Sequence, residues 1–407
     1  MGIYVYGRQL LEFARRKIIM DHKTFLKDIF ICSLGAFGGP EAHYGVMTDQ
    51  LVVKKEYLNE KELVELMALN TMLPGPTSTQ TIVSIGYKMG GPKLAFLTLL
   101  VWALPVIFIM TGLSFLYVFL DSINLSQQVL KYIGPMAVGF IIVAALRIGR
   151  KVVTDRLTFI LLIFGALTTY FFRSSIVFPI VLVIGGIVSL VFSKKEDLWN
   201  RVKLNPPWKY LVLFTVFAVG SIVLSIVWKD RIIDLFASFY RYGYLVFGGG
   251  QTVIPVMHTE LVDIKGYLTN SEFLTGYGLV QGMPGPMFSF SAYAGGLAAR
   301  GNVIKQVVAA LTSGLAIFLP GILLIYFVYP IWGNLKKIKA VKVALKGISA
   351  VAGGLIAASA VVLMQRNGFS LANIGIVIFT SLLLFTKKLP APVIVLIVIL
   401  IGLIGVV

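Results

Sequence analysis

The sequence has few charged residues and almost no cysteine. Of its 407 residues only 13% are charged, while 57% are hydrophobic, whereas soluble proteins carry about 25% charged residues. So few polar groups could not cover the apolar surface of a water-soluble fold of this size. The lone Cys32 excludes an intrachain disulfide. Because helices satisfy their own backbone hydrogen bonds in lipid, the sequence predicts an all-α polytopic membrane protein.

The motifs of nucleotide, metal and proteolytic chemistry are also missing. The sequence contains no Gly-x-x-x-x-Gly-Lys-Ser/Thr loop and no His-Glu-x-x-His, and its three histidines show no metal-ligand spacing. We therefore expect neither a primary pump nor an enzyme, and neither a metal nor another cofactor.

The net charge of +18 is compatible with nucleic-acid binding or with a membrane orientation. The lysines and arginines fall in short gaps between apolar runs, for example at 147–156, 194–195 and 336–339. With the N-terminus inside, roughly two thirds of the 36 basic residues lie on the cytoplasmic side, as the positive-inside rule requires. This predicts a cytoplasmic-membrane protein with an internal N-terminus, an external C-terminus and no nucleic-acid partner.

The apolar runs predict about 13 membrane spans, because a bilayer core of about 30 Å needs roughly 20 apolar residues per helix. A charged segment at 46–61 is interpreted as an external loop. The spans lie near residues 25–45, 62–88, 93–119, 127–149, 157–173, 176–193, 209–229, 233–258, 272–299, 303–331, 340–365, 371–386 and 390–406.

The two halves of the chain carry the same motifs at an offset of 210 residues. Phe37–Pro40 reappears as Phe247–Gly250, and Pro74–Pro76 reappears as Pro284–Pro286. Farther on, Leu104-Pro105 matches Leu319-Pro320 after a five-residue insertion. Equivalent spans are seven apart, an odd number, which predicts two repeats of opposite orientation, an arrangement typical of secondary transporters.

The repeat divides the chain into four segments. Residues 1–24 lack the apolar core of a signal peptide, and 4–20 predict an amphipathic helix on the cytoplasmic face. The first repeat covers 25–193, a loop with a connecting span covers 194–232, and the second repeat covers 233–407.

Both Pro-Gly-Pro motifs, Pro74-Gly75-Pro76 and Pro284-Gly285-Pro286, interrupt spans that are otherwise long enough to cross. The prolines bar the helix from continuing, the glycine allows a bend, and a new half-helix should begin at the second proline. Its free N–H groups and dipole form an anion site, to which hydroxyls add donors. A simple proline kink is the alternative for one motif, but two repeat-related motifs favour a site. The free N–H groups should belong to Thr77, Ser78 and Thr79, and to Met287, Phe288 and Ser289.

The glycine motifs are a second pair of breaks. They consist of Gly38, Gly39 and Pro40 in the first half and Gly248, Gly249 and Gly250 in the second. Small residues there fit both close helix packing and substrate contact.

Arg241 lies well inside the span 233–258. A charged side chain in a membrane helix costs at least about 2.5 kcal/mol, so we expect it to face the bundle or a cavity near the glycine motif. Snorkelling to the interface is the alternative if the span begins later. His43, His258, Glu41 and Glu260 could take part in proton coupling, but we interpret them as loop residues at the membrane surface.

At these motifs the chain resembles the chromate ion transporter family in its long, two-domain form. The resemblance rests on Phe37–Pro40, Leu73–Pro76, Phe247–Gly250 and Gln281–Pro286, in that order, and covers about residues 25–407. It implies a carrier that exports chromate, with sulfate as a related anion, and adds Gln281 to the substrate site. The family often has a basic residue six positions before the Phe in both halves. Here those positions are Ile31 and Arg241, and Thr71 stands opposite Gln281.

The favoured interpretation is therefore a secondary carrier that moves a tetrahedral dianion by alternating access. A channel-like anion pore and a carrier of a small organic anion are the alternatives. The expected partners are the oxyanion and the lipid bilayer, with a homodimer as a possible assembly.

Overall fold

The computed structural model describes residues 21–172, 177–193, 198–199, 202–247 and 250–404, and these contain helices and no β-strand. The predicted amphipathic helix at 4–20 lies outside the described residues. The α-helices are α1 His22–Gly35, α2 Pro40–Met47, α3 Glu60–Thr71, α4 Thr77–Ser122, α5 Ser126–Val129, α6 Ile133–Val152, α7 Arg156–Phe171, α8 Val177–Val191, α9 Trp208–Trp228, α10 Arg231–Tyr244, α11 Ile254–His258, α12 Asn270–Val280, α13 Phe290–Ala298, α14 Val303–Ala316, α15 Leu319–Val328, α16 Trp332–Leu335, α17 Lys339–Asn367, α18 Leu371–Thr386 and α19 Ala391–Ile404.

Five helical segments are long and apolar enough to cross a bilayer, namely α4, α6, α9, the α14–α16 stretch Val303–Leu335, and α17. Four shorter apolar helices, α7, α8, α18 and α19, accompany them. The chain is thus an all-α, multi-pass membrane protein. The count of 13 crossings and the opposite orientation of the repeats stay predictions.

Four of the predicted spans are broken inside. The chain leaves the helical conformation at Ala36–Gly39, at Met72–Pro76, between α10 and Gly250, and between α12 and Met287. A further break lies within α4, where Gly90 and Gly91 have non-helical backbone angles and Pro92 starts the next helix. The half-helix that follows the first Pro-Gly-Pro motif is therefore short, and a long apolar helix continues from it.

The segment 46–61 was predicted to be an external loop, but residues up to Lys54 are helical and only 55–59 are not; its position outside the membrane stays a prediction. Helix α2 runs on into a π-helix over Thr48–Lys54, and α11 runs on into another over Thr259–Ile264. These charged segments can remain helical because their charges are paired. In the first half Lys54 pairs with Asp49, and Lys55 pairs with Asp28 of α1. In the second half Lys265 pairs with Asp234 of α10.

The helices follow the spacing of the sequence motifs. Both α3 and α12 begin with a capping box, formed by Asn59 and Glu62 in one half and by Thr269 and Glu272 in the other. Helix α18 begins 215 residues after α7 begins and ends 215 residues after α7 ends, which equals the offset of 210 plus the five-residue insertion. Helix α9 joins the halves, and only 6% of its apolar window is buried within the chain.

The halves pack into each other. Helix α17 of the second half lies along α6, α7 and α8 of the first half. A side chain at Gly354 would overlap the carbonyl oxygen of Leu162, so this approach depends on small residues.

Candidate functional site

The first Pro-Gly-Pro motif ends one helix and starts another. Gly75 has a φ of +131°, which bends the chain after Pro74. Pro76 is the N-cap of α4, which begins at Thr77, and no side chain caps this N-terminus. The amides of Thr77, Ser78 and Thr79 therefore have no partner within the helix.

The second motif has the same bend and a tighter start. Gly285 has a φ of +93°, and Pro286 precedes a 3₁₀ turn over Met287–Ser289 that leads into α13. Within this turn the amide of Ser289 donates a 3.0 Å hydrogen bond to the carbonyl of Pro286. The prediction of a free N–H group at Ser289 was wrong, because 3₁₀ hydrogen bonding uses it; Met287 and Phe288 remain.

Each Pro-Gly-Pro motif is bonded to the glycine-motif segment of the opposite half. The amide of Gly75 donates to the carbonyl of Val246 over 2.9 Å, and the amide of Gly285 donates to the carbonyl of Ala36 over 2.7 Å. Ala36 and Val246 are themselves 210 residues apart and each precedes a Phe-Gly-Gly sequence. The four broken segments therefore form one reciprocal arrangement.

Side-chain packing repeats this exchange between the halves. A Cβ on Gly75 would lie 2.5 Å from Nε2 of Gln80, whose side chain packs on Gly321 at the start of α15. A Cβ on Gly285 would lie 3.1 Å from Val106 of α4. Gly321 and Val106 directly follow the repeat-related Leu-Pro pairs, so each break packs against the segment after the Leu-Pro pair of the other half.

Polar side chains surround the two half-helix starts. The Ser78 hydroxyl lies 3.0 Å from Nδ1 of His43, and the Thr79 hydroxyl accepts from Nε1 of Trp102 over 3.3 Å. Gln80 donates to the Pro74 carbonyl over 2.8 Å, and its Oε1 is buried with no partner among the described residues. In the second half, the repeat-related position to Thr79 is Ser289.

The Ser289 hydroxyl is fully buried and has no hydrogen-bond partner among the described residues. A buried hydroxyl without a partner costs about 1–3 kcal/mol, so a ligand atom at this position would relieve a cost already present. Gln281 is also buried, but its amide reaches back 3.4 Å to the carbonyl of Tyr277 on its own helix.

The glycine motifs are breaks as the sequence predicted. Gly38 and Gly39 have φ values of +82° and +91°, and α2 starts at Pro40 without a side-chain cap. Gly250 packs against Phe288 of the second half-helix start, where a Cβ would lie 2.8 Å from the ring. Gly248 and Gly249 lie outside the described residues.

Arg241 does face the protein, but it already has a partner. Its Nη2 donates to Glu260, which also accepts from Lys265 over 3.0 Å. The interpretation of Glu260, His43 and His258 as surface-loop residues was wrong, since each is at most 3% exposed. Their segments are helical. The side chain of Glu41 lies outside the described residues.

The sequence did not single out Trp102 and Gln80, and it did not identify the partner of Glu260, although the fold brings all three to this region. Trp102 and Gln80 carry no motif of their own, although Gln80 directly follows the predicted donors. Glu260 was named as able to take part in proton coupling but was interpreted as a loop residue, because its ion pair with Arg241 joins positions 19 residues apart. The signal available in the sequence was that an intramembrane arginine usually pairs with an acidic residue of the same bundle.

A family model described as "Chromate transporter" matches residues 24–190 and 233–406. A probable chromate transport protein of Synechococcus elongatus is 29% identical over 374 residues, covering 90% of this chain and 92% of the relative. Chromate transport proteins of Pseudomonas aeruginosa and Cupriavidus metallidurans are 28% and 26% identical, over 86% and 91% of this chain and 83% and 89% of their own. No solved structure matches the chain.

Proposed function

We propose that this chain, which belongs to the chromate transporter family, exports chromate or a related tetrahedral oxyanion such as sulfate by alternating access between its two repeats. The family consists of transport proteins, so the chain is a membrane transporter and not an enzyme. The observation that carries the proposal is the reciprocal hydrogen bonding of Gly75 to Val246 and of Gly285 to Ala36.

The anion would be held between the two half-helix starts. Free N–H groups at Thr77–Thr79 and at Met287 and Phe288 can donate to oxyanion oxygens, aided by the positive ends of the helix dipoles. The unpartnered Ser289 hydroxyl supports the same position, since a tetrahedral oxyanion supplies acceptors in several directions. The hydroxyls of Ser78 and Thr79 would complete the site from the first half.

Alternating access would be a movement of one repeat relative to the other around the anion held between the two half-helix starts. Because each break is bonded to the opposite half, a change in one repeat is transmitted directly to the half-helix of the other. A cytosol held negative drives a dianion outward by about 4.6 kcal/mol per 100 mV, at about 2.3 for each charge. Export therefore needs no chemical fuel.

The test is chromate flux in proteoliposomes loaded with chromate, with a potassium–valinomycin potential of either sign. We expect saturable efflux that is faster when the loaded side is negative. Competing sulfate and molybdate should reduce it. Flux without saturation would identify a channel-like pore. Inhibition by organic acids but not by oxyanions would identify a different substrate class, and an efflux indifferent to the potential would contradict electrogenic export.

A further inference from the structure

We propose that Glu260 is an internal counter-anion that competes with the transported anion for Arg241 and takes up a proton when the anion displaces it. This inference rests on the proposed function, and it adds the identity of the coupled ion, a proton, and the residue that carries it.

The ionic group beside the Arg241–Glu260 pair has a counterpart in the first half. Lys265 binds Asp234 over 2.7 Å, and the Tyr267 hydroxyl donates to Asp234 over 2.8 Å. The first half has a similar group. Lys55 and Tyr57, at the repeat-related positions, both bind Asp28, over 3.0 and 2.6 Å. Asp28 stands one helical turn after Thr24, the position related to Asp234. A lysine–aspartate–tyrosine group thus serves both halves.

The arginine–glutamate pair occurs only in the second half. The positions that correspond to Arg241 and Glu260 are Ile31 and Gln50. Both members of the pair are replaced together by uncharged residues, so the packing of a repeat does not require the pair. We infer that the second half keeps it for a different task.

The charges of the cluster balance without a substrate. From α10 come Asp234 and Arg241, and from the π-helix Thr259–Ile264 and its C-cap come Glu260 and Lys265. Among the groups in direct ionic contact two cations therefore meet two carboxylates; Arg231 of α10 lies over the Tyr267 ring and donates to the Ala298 carbonyl, and Arg366 of α17 pairs with Asp263. A dianion that reached Arg241 would leave this region with an excess of negative charge, which is costly away from water unless a positive charge is added.

Glu260 is built to receive that charge as a proton. One of its oxygens accepts from Arg241, from Lys265 and from the Ser238 hydroxyl over 3.3 Å. The other oxygen, Oε2, is buried with no partner among the described residues. The buried Tyr242 hydroxyl lies beside this carboxylate and makes no hydrogen bond of ordinary geometry among the described residues, so its oxygen can accept from the protonated acid. Tyr244 of α10 also lies near Glu260.

Protonation would release Arg241 selectively. Lys265 keeps Asp234, with both carboxylate oxygens within 2.8 Å. Arg241 has no second carboxylate among the described residues, its Nε is buried without a partner, and 27% of its side chain is exposed. It lies five residues before Val246, the carbonyl partner of Gly75. The freed guanidinium can then hold two oxygens of the anion. One proton would cross with each dianion, so transport would carry one net negative charge and would keep half of the outward electrical drive of the bare dianion.

The experiment measures chromate binding and proton uptake by the purified full chain, with wild type, Glu260→Gln and a Glu65→Gln control compared. Glu65 pairs with Lys336 on the exposed surface. In wild type, Kd should rise close to tenfold for each pH unit above about pH 7.5, where chromate is itself a dianion, since linkage to one proton requires this slope. About one proton should be taken up per chromate bound, as read with an indicator dye in weak buffer. Glu65→Gln should match wild type.

Glu260→Gln should bind chromate with a pH-independent Kd and should take up no proton. Equal pH slopes in wild type and Glu260→Gln would overturn the inference. Binding to wild type without proton uptake would overturn it as well, and this measurement does not depend on whether the variant folds. A wild type that binds no chromate at any pH would overturn the proposed function and this inference together, and is thereby distinguished from the other two outcomes.

Discussion

The amide of Gly75 donates a 2.9 Å hydrogen bond to the carbonyl of Val246, a residue 171 positions later in the second half of the chain. Gly285 makes the repeat-related bond to Ala36. Each half-helix start is consequently held in place by the other repeat as well as by its own prolines and glycine. This exchange makes the conformation of the two Pro-Gly-Pro motifs sensitive to how the halves sit against each other.

Gly75→Ala should reduce chromate transport about tenfold or more. Alanine at a positive φ is strained by about 1–3 kcal/mol, and its Cβ would lie 2.5 Å from the Gln80 amide. Gly301→Ala is the matched control, because Gly301 has a φ of +103° but open space around it. Transport rates in proteoliposomes at equal protein content compare the two. Equal loss in both variants would assign the effect to backbone strain in general.

Replacing both Pro74 and Pro76 with alanine should abolish most transport while the protein still inserts. Alanine favours a continuous helix by about 3 kcal/mol for each proline replaced, and a continuous helix would use the amides that face the site. Pro390→Ala, at the start of α19, is the control outside the breaks. Normal transport by the double variant would mean that the break is only a packing kink.

Arg241→Lys should weaken chromate binding several-fold, and Arg241→Gln should weaken it further, since lysine keeps the charge but not the planar fork. Removing one member of a buried charge pair costs about 2–5 kcal/mol in a binding site. Arg366→Gln is the control, because Arg366 pairs with Asp263 at a more exposed position. Equilibrium binding of chromate measures the series. An unimpaired Arg241→Gln would remove Arg241 from the site.

Cysteines introduced singly at Asn200 and at the C-terminus, in a Cys32→Ser background, should differ in labelling by an impermeant reagent applied to intact cells. The positive-inside bias and the odd spacing of the repeats predict a cytoplasmic Asn200 and an external C-terminus. Cys32 itself is buried and unpaired. Labelling only at the C-terminus is the expected result, and equal labelling at both positions would contradict opposite orientation of the repeats.

The sequence by itself determined that this protein lies in lipid and where its helices are interrupted. Its composition required lipid, and Gly38, Gly39, Pro74, Pro76 and their repeat partners required interrupted helices, because glycine and proline act on the backbone locally. The span positions 209–229 and 371–386 accordingly agree with α9 and α18 to within a residue. These features depend on residue type and spacing along one stretch of chain.

Only the tertiary structure decided which groups meet. Gly75 and Val246, or Arg241 and Glu260, are brought together by packing between distant segments, and no local pattern encodes such a pairing. The same holds for burial: Glu260 looked like a surface residue because its segment is polar, yet a carboxylate flanked by Arg241 and Lys265 can be buried. A charge is tolerated away from water when its partner arrives from elsewhere in the fold.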